Sequence, residues 1–361
     1  MKIILLLIAM FLISGCSEEK SSVRNTGEAT SMSSAVQKQE KGKIRINELF
    51  SIGESAVKDV LGKPYNVYGI TAVSYDEKYY NELFETLYGE QFSFERKEND
   101  NGSFFEAETQ SRVVKAIPTT RSQSIFNKPK TTSKLWVSGL MINLNQQGLL
   151  DFSQVASDNV TVVQGKQLIE DFLKKHFNIQ NAQVSYIYVD KPMIETFKKE
   201  YKKTGIVRED EEISLPFSES FVYYHVTPLI DDCHIFEGTV MGETGMDNSI
   251  LGTAIDFIVK DSQIAEFDIR HLYPIDPKVS RQVSITQEEL LNRLKSMLEN
   301  RFVKEQVVID SINVEYLPMI DPLNKRYEYK PTLVLSSSSN DLTANFPPFY
   351  IDIETGEEVK R

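Results

Sequence analysis

Apolar positions along the chain recur at two spacings, helical and alternating, and polar clusters separate the runs. Tyr80, Leu83, Phe84 and Leu87 fall at i, i+3, i+4 and i+7, one face of a helix. Asp76 suits the start of that helix and Gly89 its stop. Residues 104–116 and 135–144 read as strands, and 145–148 supplies the turn that closes the second. Between them, 118–133 is rich in Thr, Ser, Pro and Lys and reads as an exposed loop.

After residue 160 the pattern occurs twice. Ile169, Phe172, Leu173 and His176 share a helical face, and 182–189 follows as a strand. Later, Leu290, Leu294, Met297 and Leu298 share another, and Thr286 with Glu289 has capping-box spacing. A strand over 307–316 follows. Each unit continues as a long apolar stretch, 219–229 in the first and 329–336 in the second. Each ends as two strands about a polar turn: 254–259 with 264–269, and 350–353 with 357–359. The expected architecture is therefore α+β: an N-terminal α+β domain (44–160) and two repeated helix-plus-antiparallel-sheet units (161–280 and 281–361).

The N-terminus changes the picture most. Met1-Lys2 precedes the apolar run Ile3 to Ile13, which is long enough for an export signal but short of the roughly 20 apolar residues of a membrane span. Ile13-Ser14-Gly15-Cys16 resembles the lipobox of bacterial lipoproteins, in which the cysteine is lipidated and becomes the first mature residue. The resemblance implies a signal peptide over 1–15, lipidation at Cys16, and a body anchored to the cell membrane on its extracytoplasmic face. Residues 17–43, rich in Ser, Glu, Lys, Gln and Thr and without an aromatic residue, are expected to form a flexible tether, since such a stretch cannot bury enough surface to order itself. With Cys16 acylated, Cys233 is the only thiol left, so no intrachain disulfide is expected.

The second unit has Tyr316-Leu317-Pro318, then Tyr329-Lys330-Pro331-Thr332-Leu333-Val334-Leu335, and closes on Asp352-Ile353-Glu354-Thr355-Gly356-Glu357. These residues resemble the PepSY-type module, and in tandem the YycH/YycI extracytoplasmic regulators of a Gram-positive sensor kinase. The similarity covers about the last 200 residues. It implies a regulatory binding role rather than catalysis. Two features depart from the pattern: a lipobox replaces an N-terminal membrane helix, and the sole tryptophan, Trp136, lies outside the repeat.

Composition narrows the chemistry. With 361 residues, 41% hydrophobic and 25% charged, the chain is neither wholly disordered nor a multi-span membrane protein. Lys and Arg total 40 against 52 Asp and Glu, a net charge of -12, which argues against a nucleic-acid partner. There is no H-E-x-x-H, G-x-S-x-G, P-loop or paired C-x-x-C. Cys233-His234 sits in a strand pattern, where neighbours point to opposite faces and cannot form a dyad. His225 and His234 have the spacing to face each other across a turn at Ile230-Asp231-Asp232, and with Asp232 they form a weak zinc candidate. Glu209 to Glu212 read as a solvated acidic loop, and Glu243, Asp247 and Asn248 as turn formers or binding groups. No catalytic residue, metal ligand or cofactor is assigned. Tyr223, Tyr224 and Trp136 are candidate interface residues, because alternation places one of the two tyrosines outward and exposed aromatic residues anchor interfaces. The expected role is a non-catalytic binding or regulatory module for another envelope protein; an envelope hydrolase with carboxylates in a cleft and a solute-binding lipoprotein are the alternatives.

Overall fold

The computed structural model describes residues 42–359 except 59, 100–101, 120, 131–135, 153–159, 208–212, 217–218, 243–244, 300–305, 322–323 and 338–347. Cys16 and nearly all of the expected tether therefore lie outside the described residues, as do Glu209 to Glu212 and Glu243. The chain opens with β1 (Lys43–Arg45), β2 (Phe50–Gly53), α1 (Glu54–Lys58), β3 (Tyr65–Ile70) and α2 (Glu77–Tyr88). Four strands follow, β4 (Glu95–Asn99), β5 (Gly102–Glu108), β6 (Arg112–Pro118) and β7 (Gln123–Pro129), and then α3 (Val137–Gln146). Next come α4 (Val160–Phe177), β8 (Ala182–Val189), α5 (Lys191–Lys203), β9 (Phe221–Ile230) and β10 (Cys233–Ile235). A ribbon of β11 (Thr239–Gly242) and β12 (Gly245–Leu251) leads into β13 (Ala254–Lys260), β14 (Gln263–Leu272) and β15 (Ile275–Val283). The last elements are α6 (Gln287–Leu298), β16 (Val307–Ile309), β17 (Ser311–Asp321), β18 (Arg326–Ser336) and β19 (Phe349–Asp352). The fold is mixed α+β and mostly sheet.

Where the signals are local, the elements form as their residues dictate. Asp76 caps α2 by accepting from the Tyr79 amide at 2.9 Å, and Gly89 ends it with a left-handed φ of 65°. Thr286 and Glu289 complete the capping box of α6. β8 spans 182–189 as expected.

A 14-stranded sheet runs β15-β3-β18-β17-β10-β9-β13-β14-β7-β6-β5-β4, with β8 also on β9 and β19 also on β18. Its pairings are antiparallel except β10 with β17. Strands from all three regions of the chain share this ladder: β7 pairs β14, and β3 lies between β15 and β18. β2 pairs β1 and β16 in a small separate sheet.

Several expectations need correction. Residues 137–144 are helical, not a strand: Val137, Leu140, Met141 and Leu144 hold i, i+3, i+4, i+7 spacing and are buried. Their short apolar run fits either period, and the helix start has no local cap; Glu266 of β14 accepts from the Ser138 amide at 2.8 Å instead. The expected loop over 118–133 contains β7, held between β6 and β14. Its buried polar side chains have distant partners: Asn127 donates to Tyr88 Oη at 2.7 Å, and Ser124 Oγ accepts from the His271 amide at 2.9 Å. Residues 104–116 form two strands, because Thr109 Oγ1 accepts from the Ser111 and Arg112 amides and makes a turn. Residues 307–316 break at Asp310 into β16 and β17, which enter different sheets.

Tyr223 and Tyr224 are both fully buried, so neither faces outward. The central sheet has two covered faces. Val222, Tyr224 and Val226 pack with Ile255, Phe257 and Phe267 beneath Ile169, Phe172 and Leu173 of α4. On the other face Tyr223, Ile187 and Ile258 pack with Val137 and Met141 of α3 and Ile194 of α5. Alternation therefore sends each tyrosine into a core. At Gly165 of α4 an added Cβ would meet Tyr224 Oη at 2.2 Å, so the helix lies directly on that ring. In the C-terminal part, Leu290, Leu294 and Leu298 of α6 cover Ile312, Val314, Leu333, Leu335, Phe349 and Ile351.

Candidate functional site

A cleft of about 460 Å³ opens where β9, β14, β7 and β3 end beside the last turn of α4. That volume falls within the range of small-ligand sites. Its hydrophobic lining includes Leu229, Ile230, Leu272 and Ile275, and four tyrosines, Tyr68, Tyr75, Tyr79 and Tyr273, border it. Two polar groupings within it are held by hydrogen bonds. In one, Gln123 is nearly inaccessible and donates to Tyr79 Oη at 3.2 Å, while Tyr80 Oη donates to its carbonyl at 3.4 Å. Tyr75 and Tyr79 pack edge to face with centroids 5.2 Å apart. Burial raises the phenol pKa values of Tyr75, Tyr79 and Tyr273, so all three stay neutral hydroxyls.

In the other lies Asp231. Asp231 and Asp232 make the two-residue turn between β9 and β10 with φ of 48° and 63°, a conformation that aspartate tolerates. This geometry presents the Asp231 carboxylate to three donors from distant parts of the chain. Tyr68 Oη donates at 2.8 Å and Asn66 Nδ2 at 2.8 Å, while Tyr316 Oη, 3.2 Å away, shares its proton with the Asn66 carbonyl at 2.9 Å. His176, on the α4 side of the cleft, packs against Phe172 with the rings tilted by 45°, and burial with the adjacent Lys175 lowers its pKa, leaving a neutral imidazole at pH 7.

A second polar grouping lies on the α3 and α5 face of the central sheet. His225 sits between Asp256, 2.9 Å from Nδ1, and Glu237, 2.9 Å from Nε2. Burial opposes charge on the ring, but these two hydrogen bonds outweigh it and raise the pKa to about 10. Tyr223 Oη donates to Asp256 at 2.6 Å, and Arg270 to the same carboxylate at 3.1 Å. Arg270 Nε also lies 3.2 Å from Asp268 Oδ1, but out of hydrogen-bond alignment, so this contact is coulombic only. Burial pushes Asp268 up to about 7, against the pull of Arg270, and pushes Glu315 up to about 7 with help from Glu237. A third feature, a cavity of about 410 Å³, is bordered by Arg326 and by Arg281, Glu328, Lys330 and Glu354, the last four paired with one another.

The remaining sequence candidates separate. Of the three candidate interface residues only Trp136 reaches the surface; it is half-buried, with its ring 6.3 Å from Phe126 and Lys128 Nζ 4.6 Å above it. The zinc candidate does not assemble: His234 stands opposite Leu229 and bonds Gln183 at 2.7 Å, whereas His225 pairs with Asp256. Among the described residues no three His, Cys, Asp or Glu side chains converge on a metal position. Cys233 packs against apolar neighbours, and burial raises its thiol pKa. Asp247 and Asn248 lie in β12. No local sequence signal marks Gln123, Tyr75 or Tyr273; the Asp231-Asp232 turn is legible, and its three distant donors are not.

No family model matches the chain, and no curated protein matches it. A solved structure is similar: an uncharacterized protein from Eubacterium rectale ATCC 33656, with a TM-score of 0.52 and 12% sequence identity, over 88% of this chain and 93% of that one. At that identity the likeness concerns the fold alone.

Proposed function

We propose that this chain is a lipid-anchored, extracytoplasmic binding module that engages another component of the cell envelope without catalysing a reaction on it. The observation that carries the reading is the tyrosine-lined cleft, whose hydroxyls are already ordered by Gln123 and by Asp231. A site whose polar groups are held before a ligand arrives loses less entropy on binding. Cys16 supplies the anchor in this reading, with the segment after it as the tether.

The reading also takes the C-terminal part as a tandem PepSY/YycI-like repeat. In support, α4 backs β8, β9, β13 and β14, which pair in that order, and α6 backs β17, β18 and β19, with an Ile351–Glu358 bridge in the fourth position.

A photo-crosslinking residue at Tyr75 in the cleft, compared with one at exposed Leu149, tests the reading in intact cells. A light-dependent adduct from position 75 alone is expected, and Cys16→Ala should release the protein from membranes and weaken that adduct. Equal adducts from both positions, or none, would overturn the reading. A second reading, an envelope hydrolase, draws on Asp268 and Glu315, which retain a proton near neutral pH as a general acid does. Hydrolysis of an envelope polymer that is lost in both Asp268→Asn and Glu315→Gln would favour it.

A further inference from the structure

The charge balance inside the cleft points to the chemistry of its occupant. Asp231 accepts only neutral donors, two phenols and an amide, and no cation among the described residues pairs with it. The three donors fix its solvent-exposed carboxylate without supplying a countercharge, and its Oδ1 atom, with Tyr68 as its one donor among the described residues, keeps acceptor capacity. Four tyrosines and an aliphatic floor of Leu272 and Ile275 border the same space. An electron-rich aromatic lining beside a fixed carboxylate attracts a cation carried on an apolar body. Lys175 is the one cation lining the cleft among the described residues; it is exposed in the last turn of α4, where helix carbonyls favour a positive charge.

We propose that the cleft binds an organic ammonium group attached to an apolar body, with the ammonium at Asp231 and the body over Leu272, Tyr273 and Ile275. The proposal rests on the reading of this cleft as the binding site. Two sources share the chemistry: a free amphipathic amine, or a lysine side chain in an extended peptide.

The full-length protein in nanodiscs is titrated at pH 7 with phenethylamine, with phenethyl alcohol as the neutral counterpart, and with acetyl-Phe-Lys-amide, while Tyr chemical shifts report the cleft. The amine is expected to bind at least tenfold more tightly than the alcohol. Asp231→Asn should bring that ratio close to one without changing the alcohol's affinity. Lys175→Met, on α4 and not in the turn, should tighten the amine about threefold and leave the alcohol unchanged, so the test survives if the Asp231 variant fails to fold. Tighter binding of the peptide than of phenethylamine assigns the cation to a polypeptide side chain; the reverse assigns it to a free amine. Equal binding of amine and alcohol overturns the cation proposal and leaves the cleft as a binding site. Failure of the amine to bind also overturns it, and only the cross-linking result then speaks to the binding module itself.

Discussion

The strands backed by α4 and the strands backed by α6 belong to one sheet and differ in what lies on the side away from the helix. On the α4 strands, α3 and α5 lay a second apolar layer, and the polar row around His225 is confined to the strip beside it. On the α6 strands that side carries Lys330, Thr332 and Asp352, all buried. Lys330 reaches Asp352 at 3.0 Å and Glu354 at 2.7 Å, and Arg281 joins Glu354 to Glu328 at 2.6 Å to each. Both sets of strands therefore bury a cation between two carboxylates. In one it is a titratable imidazolium, in the other a lysine that stays charged. Both cations are held charged, so each loses its contribution on the alkaline side, and the acid-side sensitivity of the α6 strands comes from Glu354.

Removing the core beneath each helix tests whether the two sets of strands stand as one cooperative body. Phe257→Ala should cost about 3–5 kcal/mol and Leu333→Ala about 2–5 kcal/mol, both read from urea denaturation. A single shared transition, shifted by either variant, is expected because the hydrogen-bond ladder is continuous through β10 and β17. Two separate transitions would divide the molecule.

Breaking the cation of the α6 strands comes next. Lys330→Ala leaves Asp352 buried without its partner and should cost about 3–5 kcal/mol, in keeping with other half-removed buried pairs. Lys330→Ala combined with Asp352→Leu should recover much of that loss, and no recovery would mean that the pair is not the source.

The pH dependence sharpens the contrast. His225 has a folded pKa raised to about 10, so its contribution is complete below the ordinary histidine range and is lost as pH rises toward 10. Glu354 is held down to about 2 by Arg281 and Lys330, so its contribution is present above the ordinary carboxylate range and is lost as pH falls toward 2. His225→Gln should flatten the alkaline side of a stability–pH curve, and Glu354→Gln the acid side. Asp268 and Glu315 act against stability: their folded forms hold protons up to about 7, so stability falls as pH rises from about 4 to 7. Asp268→Asn should remove part of that fall.

The smallest effect belongs to the α6 start. Thr286→Ala removes the capping box and should cost about 1 kcal/mol by thermal melting, with the binding cleft unaffected.

What the sequence reveals follows from how far apart the determinants lie. Asp76 and Tyr79, or Thr286 and Glu289, are three residues apart, and those helix starts are legible. α3 is not, because its cap is Glu266 of β14, 128 residues from Ser138 in the chain. β7 reads as a loop since Gln123, Ser124 and Asn127 look solvent-seeking until Tyr79, His271 and Tyr88 supply their partners. The cleft is hidden for the same reason. Its turn is written in two adjacent aspartates, but the groups that orient Asp231 come from Asn66, Tyr68 and Tyr316. Tyr223 and Tyr224 mislead differently: alternation is right, and both sides are interior.

The interleaving of β3 has a consequence for assembly. A ribosome makes Tyr68 long before Tyr329, its neighbour in the ladder, and Phe50 long before Val307. The early strands must wait with open edges for partners made near the end of translation, and distant pairing of this kind is slow. Completion of the C-terminal strands is thus the event that closes the ladder, and an interrupted chain presents its neighbours with unpaired backbone rather than a smaller working piece.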